Sequence, residues 1–147
     1  MSVARITYSS NSNNIISLTY GGYYSSVNHN AIEYVTIASK GDGVDFGDEL
    51  YLVRNPNVTG NTTRAVLFGG YDGSAAINKV SYNLYSSRGT SIHFGEMGYS
   101  VFGAGGVSNA TRGIFGGGGN PSNANNIEYI TFATEGNGTD FGDLTVA

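Results

Sequence analysis

Cysteine and tryptophan are absent from these 147 residues, proline occurs twice, and only 12% of the residues are charged. Without cysteine there is no disulfide framework, no thiolate zinc site and no cysteine nucleophile. Seven basic residues stand against eleven acidic ones, a formal net charge of −4. The basic residues form no cluster, so the positive footprint that a phosphate backbone demands is missing, and nucleic acid is not an expected partner. No apolar run approaches the roughly 20 residues of a membrane-spanning helix, so no membrane insertion is expected. The opening MSVARITYSS has no apolar core of the kind a secretory leader needs. No stretch shows a 3.6-residue apolar period, which excludes amphipathic helices. A charge content about half the ~25% usual for soluble domains also argues against disorder, because disordered chains rely on charge to stay solvated. It predicts a surface of hydroxyls and amides, common in extracellular assemblies.

Glycine and tyrosine are abundant instead, 23 and 11 residues. Glycine tolerates the positive φ of tight turns, so the composition describes many short strands, all-β, in a single domain over residues 1–147. The chain also repeats itself. "NAIEYVTIASKGDGVDFGDEL" (30–50) returns as "NNIEYITFATEGNGTDFGDLTVA" (125–147) and, blurred, as "NKVSYNLYSSRGTSIHFGEM" (78–97). A glycine pair after an apolar run ends at Gly22, Gly70 and Gly117, in steps of 48 and 47, and Phe46, Phe94 and Phe141 keep the same steps. Asn30, Asn78 and Asn125 share the period, as do Ile32, Val80 and Ile127, and Tyr34, Tyr82 and Tyr129. Three repeats result, over 1–49, 50–96 and 97–147. "AIEYVTIAS" and "NIEYITFAT" alternate as strands, "SKGDG", "SSRGT" and "TEGNG" are turns, and "VDFGD", "IHFGE" and "TDFGD" return as short strands. With the strand ending at the glycine pair and a weak β segment before it, each repeat holds about four strands.

An apolar strand ending in Gly-Gly, a variable loop, a strand like "IEYI", a glycine turn and an aromatic resemble the kelch repeat, over the whole chain in three copies. The family's tryptophan is replaced by Phe46, Phe94 and Phe141; its arginine after the fourth strand is matched by Arg54, with Arg5 equivalent at the start and no match in the third repeat. "IEYITFATEGNGTDFGDLTVA" is also similar to repeats in tailed-bacteriophage proteins, where they occur among virion components and tail appendages. The kelch resemblance implies three four-stranded propeller blades. A propeller closes into a ring because an open end exposes apolar faces and unpaired edges. Three blades are half of a six-bladed ring, which a homodimer or higher homo-oligomer could complete with one contact used twice. The end "DLTVA" aligns with the start "MSVAR", as whole blades set end to end would require. A β-trefoil, three repeats closing within one chain, is the alternative.

Candidate chemistry is sparse. "DFG" at 45–47 and 140–142 lacks the phosphate loop, strand lysine and catalytic loop of a kinase. "GGGGN" (116–120) is followed by neither Lys-Ser/Thr nor a helix and reads as a loop. Asp42, Asp45 and Asp48 are three apart in a strand, so they cannot all face one calcium ion; Asp45 and Asp48, echoed by Asp140 and Asp143, read as turn-shaping. His29 and His93 have no partner at metal-ligand spacing. Glu33 and Glu128 occupy equivalent repeat positions, which favours a structural role over glycoside hydrolysis. The N-x-S/T matches at Asn57, Asn61, Asn109 and Asn137 follow from composition. No catalytic residue, metal or cofactor is expected. The loops after the glycine pairs differ while the strands agree, as on a scaffold with adaptable loops. Tyr23, Tyr24, Asn28, His29, Tyr71, Asp72, Asn120 and Asn123 are the candidate ligand-binding residues. The expectation is a non-enzymatic structural or adhesive module of a virion or extracellular appendage, contacting other virion proteins; the alternative is a lectin-like module binding surface glycans.

Overall fold

The computed structural model describes residues 4–146; residues 1–3 and 147, which carry part of the match between "MSVAR" and "DLTVA", lie outside the described residues. Strands β1 (Ser9–Ser12), β2 (Ile16–Tyr20), β5 (Ala31–Thr36) and β6 (Val44–Asp48) form one antiparallel sheet in chain order, with a two-residue hairpin, β3 (Tyr23–Tyr24) and β4 (Val27–Asn28), inserted after β2. β7 (Asn57–Gly60), β8 (Arg64–Phe68), β9 (Lys79–Leu84) and β10 (Ile92–Glu96) form the second sheet. β11 (Gly105–Ser108), β12 (Arg112–Gly116), β13 (Asn126–Thr131) and β14 (Thr139–Asp143) form the third. The described residues are all-β, with four strands in each repeat's sheet. Among the described residues, no strand of one repeat joins the sheet of another. This overturns the β-trefoil alternative, whose repeats must share one closed barrel.

Local chemistry sets each sheet. The first hairpin turns on an asparagine: the Asn61 Oδ1 accepts the Thr63 and Arg64 amides (2.9 and 3.0 Å), and Asn109 does the same for Thr111 and Arg112 (both 2.8 Å). Asn13 accepts the Ile15 and Ile16 amides alike. Two of the N-x-S/T matches are therefore this repeated turn. After the second strand the chain enters left-handed backbone at two successive glycines, with φ of 60° and 108° at Gly21–Gly22, 57° and 112° at Gly69–Gly70, and 70° and 89° at Gly117–Gly118. The third pair thus ends at Gly118, one residue beyond the Gly117 that the sequence alignment selects. The repeat step is therefore 48 up to Gly118 and 47 from Asn125 onward, so the missing residue falls in the loop between them. Only glycine fits: a Cβ on Gly69 would lie 2.4 Å from the Val101 carbonyl oxygen.

The "DFG" element is a β-bulge. Pairing slips by one residue between Ile32 and Glu33, at the equivalent point between His93 and Gly95, and between Ile127 and Glu128. Phe46, Phe94 and Phe141 are the extra residues left unpaired. A bulge re-aims a side chain, and each phenylalanine turns edge-on to its repeat's tyrosine at 6.1, 5.8 and 6.1 Å.

The hydrophobic core lies between sheets. Leu18, Tyr20, Ile32 and Phe46 of the first sheet pack on Ala65, Leu67 and Tyr85. Val66, Phe68, Val80 and Phe94 of the second pack on Phe115, Ile130 and Phe132 of the third. Arg54 pairs with Tyr71 as Ile6 pairs with Tyr23, so Arg54 is the counterpart of Ile6, and Arg5 aligns with Val53 rather than with Arg54.

Candidate functional site

The two inner junctions follow one plan. A glycine turn of the following sheet docks on the last strand of the preceding one: the Gly89 and Ser91 amides donate to the Phe46 and Asp48 carbonyls (both 2.8 Å). At the next junction the Gly136 and Gly138 amides donate to Phe94 and Glu96 (3.0 and 2.8 Å). The same turn reaches back to the tyrosine of the preceding sheet. Arg88 donates to the Tyr34 hydroxyl, with its guanidinium over the ring, and the Tyr82 hydroxyl donates to Glu135 (2.7 Å).

One buried carboxylate sits in each junction. Between the first and second sheets it is Glu49, 1% exposed, whose Oε1 accepts from the Ser81 hydroxyl (2.6 Å) and the Leu50 amide (3.0 Å). Between the second and third it is Glu128, which accepts from the Gly98 amide through both oxygens (3.0 and 3.1 Å). Met97 takes the place that Glu49 fills in the first repeat, and Ser81 takes the place of Glu128. Burial raises both carboxyls above the ordinary range, opposed at Glu49 by the Ser81 and Ser91 hydroxyls and at Glu128 by the Gly98 amide.

The sign for Glu49 follows from linkage. A carboxyl raised in the folded state is more readily protonated there than in the unfolded chain. Its contribution is therefore complete below the ordinary carboxylate pKa and is lost as pH rises through the raised folded value. Glu49→Gln is expected to remove this loss. Urea unfolding from pH 4 to 8 should show the wild type falling relative to the variant by up to about 1.4 kcal/mol per pH unit within that window. Parallel curves would show that Glu49 does not titrate this way.

The outer flanks carry the same features without a neighbour. On the third sheet, Phe141 is 55% exposed where Phe46 and Phe94 are each 3% exposed, and Leu144 is 41% exposed where Met97 is 3%. Gly105, Val107, Ile114, Ile127 and Leu144 line an apolar groove of about 280 Å³ there. On the first sheet, Val35 and Ile37 are exposed, at positions where the third sheet buries Ile130 and Phe132. Arg5, Thr19, Glu33 and Gly43 line a groove on that flank, and Arg5 pairs with Glu33 Oε2 at 2.7 Å.

The loop residues singled out from sequence fall at one end of the sheets with varied roles. Arg54 is stacked between the Tyr23 and Tyr71 rings (4.6 and 4.7 Å), and Phe102 meets Tyr71 edge-on. Asn28 is buried and its Nδ2 donates to the Tyr71 and Leu52 carbonyls (2.8 and 3.3 Å). Asp72 accepts the Ser74 and Ala75 amides (2.7 and 2.8 Å), which hold its carboxyl below the ordinary range. Tyr24 is exposed and lies 6.3 Å from the His29 ring. Asn120 donates its amide to the Ser122 carbonyl (2.8 Å), and Asn123 bridges to Gly119. Glu33 lies on the outer flank of the first sheet and Glu128 between the second and third sheets, so the two acids do not come together. Among the described residues no group of three or more histidine, aspartate or glutamate side chains could hold a metal ion. Sequence reading missed Arg54 as an organising side chain and Glu49 as a buried acid. Glu49 was detectable as the only acid at a repeat position otherwise filled by Met97 and Leu144.

No family model matches the chain, and no curated protein matches it. By structure it is similar to YjhT, with a TM-score of 0.80 at 10% sequence identity over 97% of this chain and 53% of the YjhT chain. The chain therefore spans about half the length of that structure, and what the two share is the fold.

Proposed function

We propose that two copies of this chain close a six-bladed β-propeller, a non-enzymatic structural or adhesive module of a virion or extracellular appendage. Phe141 carries the reading: its equivalents are core residues, and it lies 55% exposed on an otherwise equivalent sheet. Exposing such a face costs apolar hydration on the order of 25 cal/mol per Å², and the first sheet presents Val35 and Ile37 as its counterpart. The match to about half of the YjhT chain supports a ring of twice this size. A second copy brings three sheets, and a two-fold axis uses the junction twice. The assignment of Glu49 and Glu128 to packing between sheets supports a structural rather than a catalytic use of the acids. The low charge content and the similarity to bacteriophage repeats support the assembly setting.

Light scattering at micromolar concentration should give twice the 15.4 kDa chain mass. A compact monomer at that concentration would overturn the ring.

A further inference from the structure

We infer that one copy's Glu33 enters its partner's open junction as the single carboxylate there, capping the Thr145 amide, while the turn 40–43 docks on β14. This rests on the ring reading and adds its register and its polar determinant. The repeat offsets fix the correspondence. Glu33 stands where Ser81 and Glu128 stand, Leu144 where Glu49 and Met97 stand, and Thr145 where Leu50 and Gly98 stand. Each junction then holds one carboxylate facing one partner that lacks it: Glu49 with Ser81, Glu128 with Met97, and Glu33 with Leu144.

The backbone agrees. Gly41 and Gly43 correspond to the amides that donate to Phe46 and Asp48 at one junction and to Phe94 and Glu96 at the next. In the ring they would donate to the partner's Phe141 and Asp143 carbonyls. Lys40 holds the position of Arg88 and Glu135, both bonded to the tyrosine hydroxyl of the preceding sheet, and so meets the Tyr129 hydroxyl. Glu33 is set for this role. Arg5 occupies its Oε2 at 2.7 Å, which leaves Oε1 for the incoming amide. A charge-assisted bond of this kind is roughly twice as strong as a neutral one. The occupant is a second copy because the missing partners of each flank are found on the opposite flank of the same chain.

A carboxylate swap tests this, read as dimer dissociation by analytical ultracentrifugation. Glu33→Ser removes the only acid and should weaken each junction about tenfold, hence the two-junction ring about a hundredfold in Kd. Adding Leu144→Glu recreates the Glu49–Ser81 arrangement and should return Kd to within about tenfold of wild type. Leu144→Glu alone places two carboxylates in one junction and should weaken the dimer. A wild-type dimer whose Kd is unmoved by Glu33→Ser, or a double variant no tighter than the single one, overturns the role of Glu33 while leaving the ring intact. A wild-type monomer overturns both.

Discussion

Phe94→Ala is expected to destabilise the fold by about 3–5 kcal/mol, whereas Phe141→Ala should leave the stability of the single chain nearly unchanged and instead dissociate the ring. The two residues are equivalent in sequence, in bulge and in contact with their tyrosines, at 5.8 and 6.1 Å. They differ in what covers them: Phe94 is 3% exposed beneath the third sheet, and Phe141 is 55% exposed. Deleting the Phe94 ring leaves a cavity among Val80, Phe115 and Ile130, and packed neighbours collapse only partly into such a space. Deleting the Phe141 ring leaves no cavity in one chain. In the proposed ring each junction would lose a central anchor worth about 2 kcal/mol, and two junctions would give roughly a thousandfold in Kd. Urea unfolding, together with sedimentation over a concentration series, separates the two effects. Equal destabilisation of both variants in a monomeric sample would show that Phe141 is already buried within its own chain.

The strands were legible because their pattern is local. Alternation in "IEYVT" and "IEYIT", glycine turns and the Asn30–Asn78–Asn125 register all act within one sheet, and each sheet forms as its own repeat predicts. Junction chemistry was not legible in the same way. Phe46 and Phe141 have nearly the same flanking residues, "VDFGD" and "TDFGD", and their different burial depends on a neighbour about 40 residues away or absent. The acid at Glu49 looks like an ordinary turn residue until the Ser81 hydroxyl is seen 2.6 Å from it. The one-residue slip at Gly118 has a similar origin. Four consecutive glycines offer several pairs, and only the backbone φ values decide between them. The loop candidates were chosen for side-chain chemistry, and the structure engages Asn28 and Asp72 with backbone groups instead. A polar loop residue can serve the loop's own hydrogen bonds as readily as a ligand's.

Gly47→Ala is expected to destabilise the isolated chain strongly, and Gly142→Ala to do so mildly while preventing dimerisation. A Cβ at Gly47 would lie 2.2 Å from the Gly89 carbonyl oxygen and one at Gly95 2.1 Å from that of Gly136, both backbone atoms of the docked turn. Such overlap cannot be relieved by a rotamer change, so the turn must lift off the strand, losing the amide bonds to Phe46 and Asp48 and opening the core beneath. We expect about 3 kcal/mol or more at Gly47, a fall of roughly 10 °C in Tm for a domain of this size. Gly142 has a similar backbone, φ 139° against 147° at Gly47, yet nothing lies within 4 Å of its added Cβ. Both alanines incur comparable strain at positive φ, of order 1–3 kcal/mol, so the difference between them isolates the docked turn. In the proposed ring, the partner's Gly41 would occupy at Gly142 the position that Gly89 occupies at Gly47. On the ring reading, Gly142→Ala should therefore sediment as a folded monomer at concentrations where the wild type is expected to be dimeric. A Gly142→Ala dimer with wild-type Kd would mean that no turn docks on β14, and the third sheet's flank would then have to be covered in some other register.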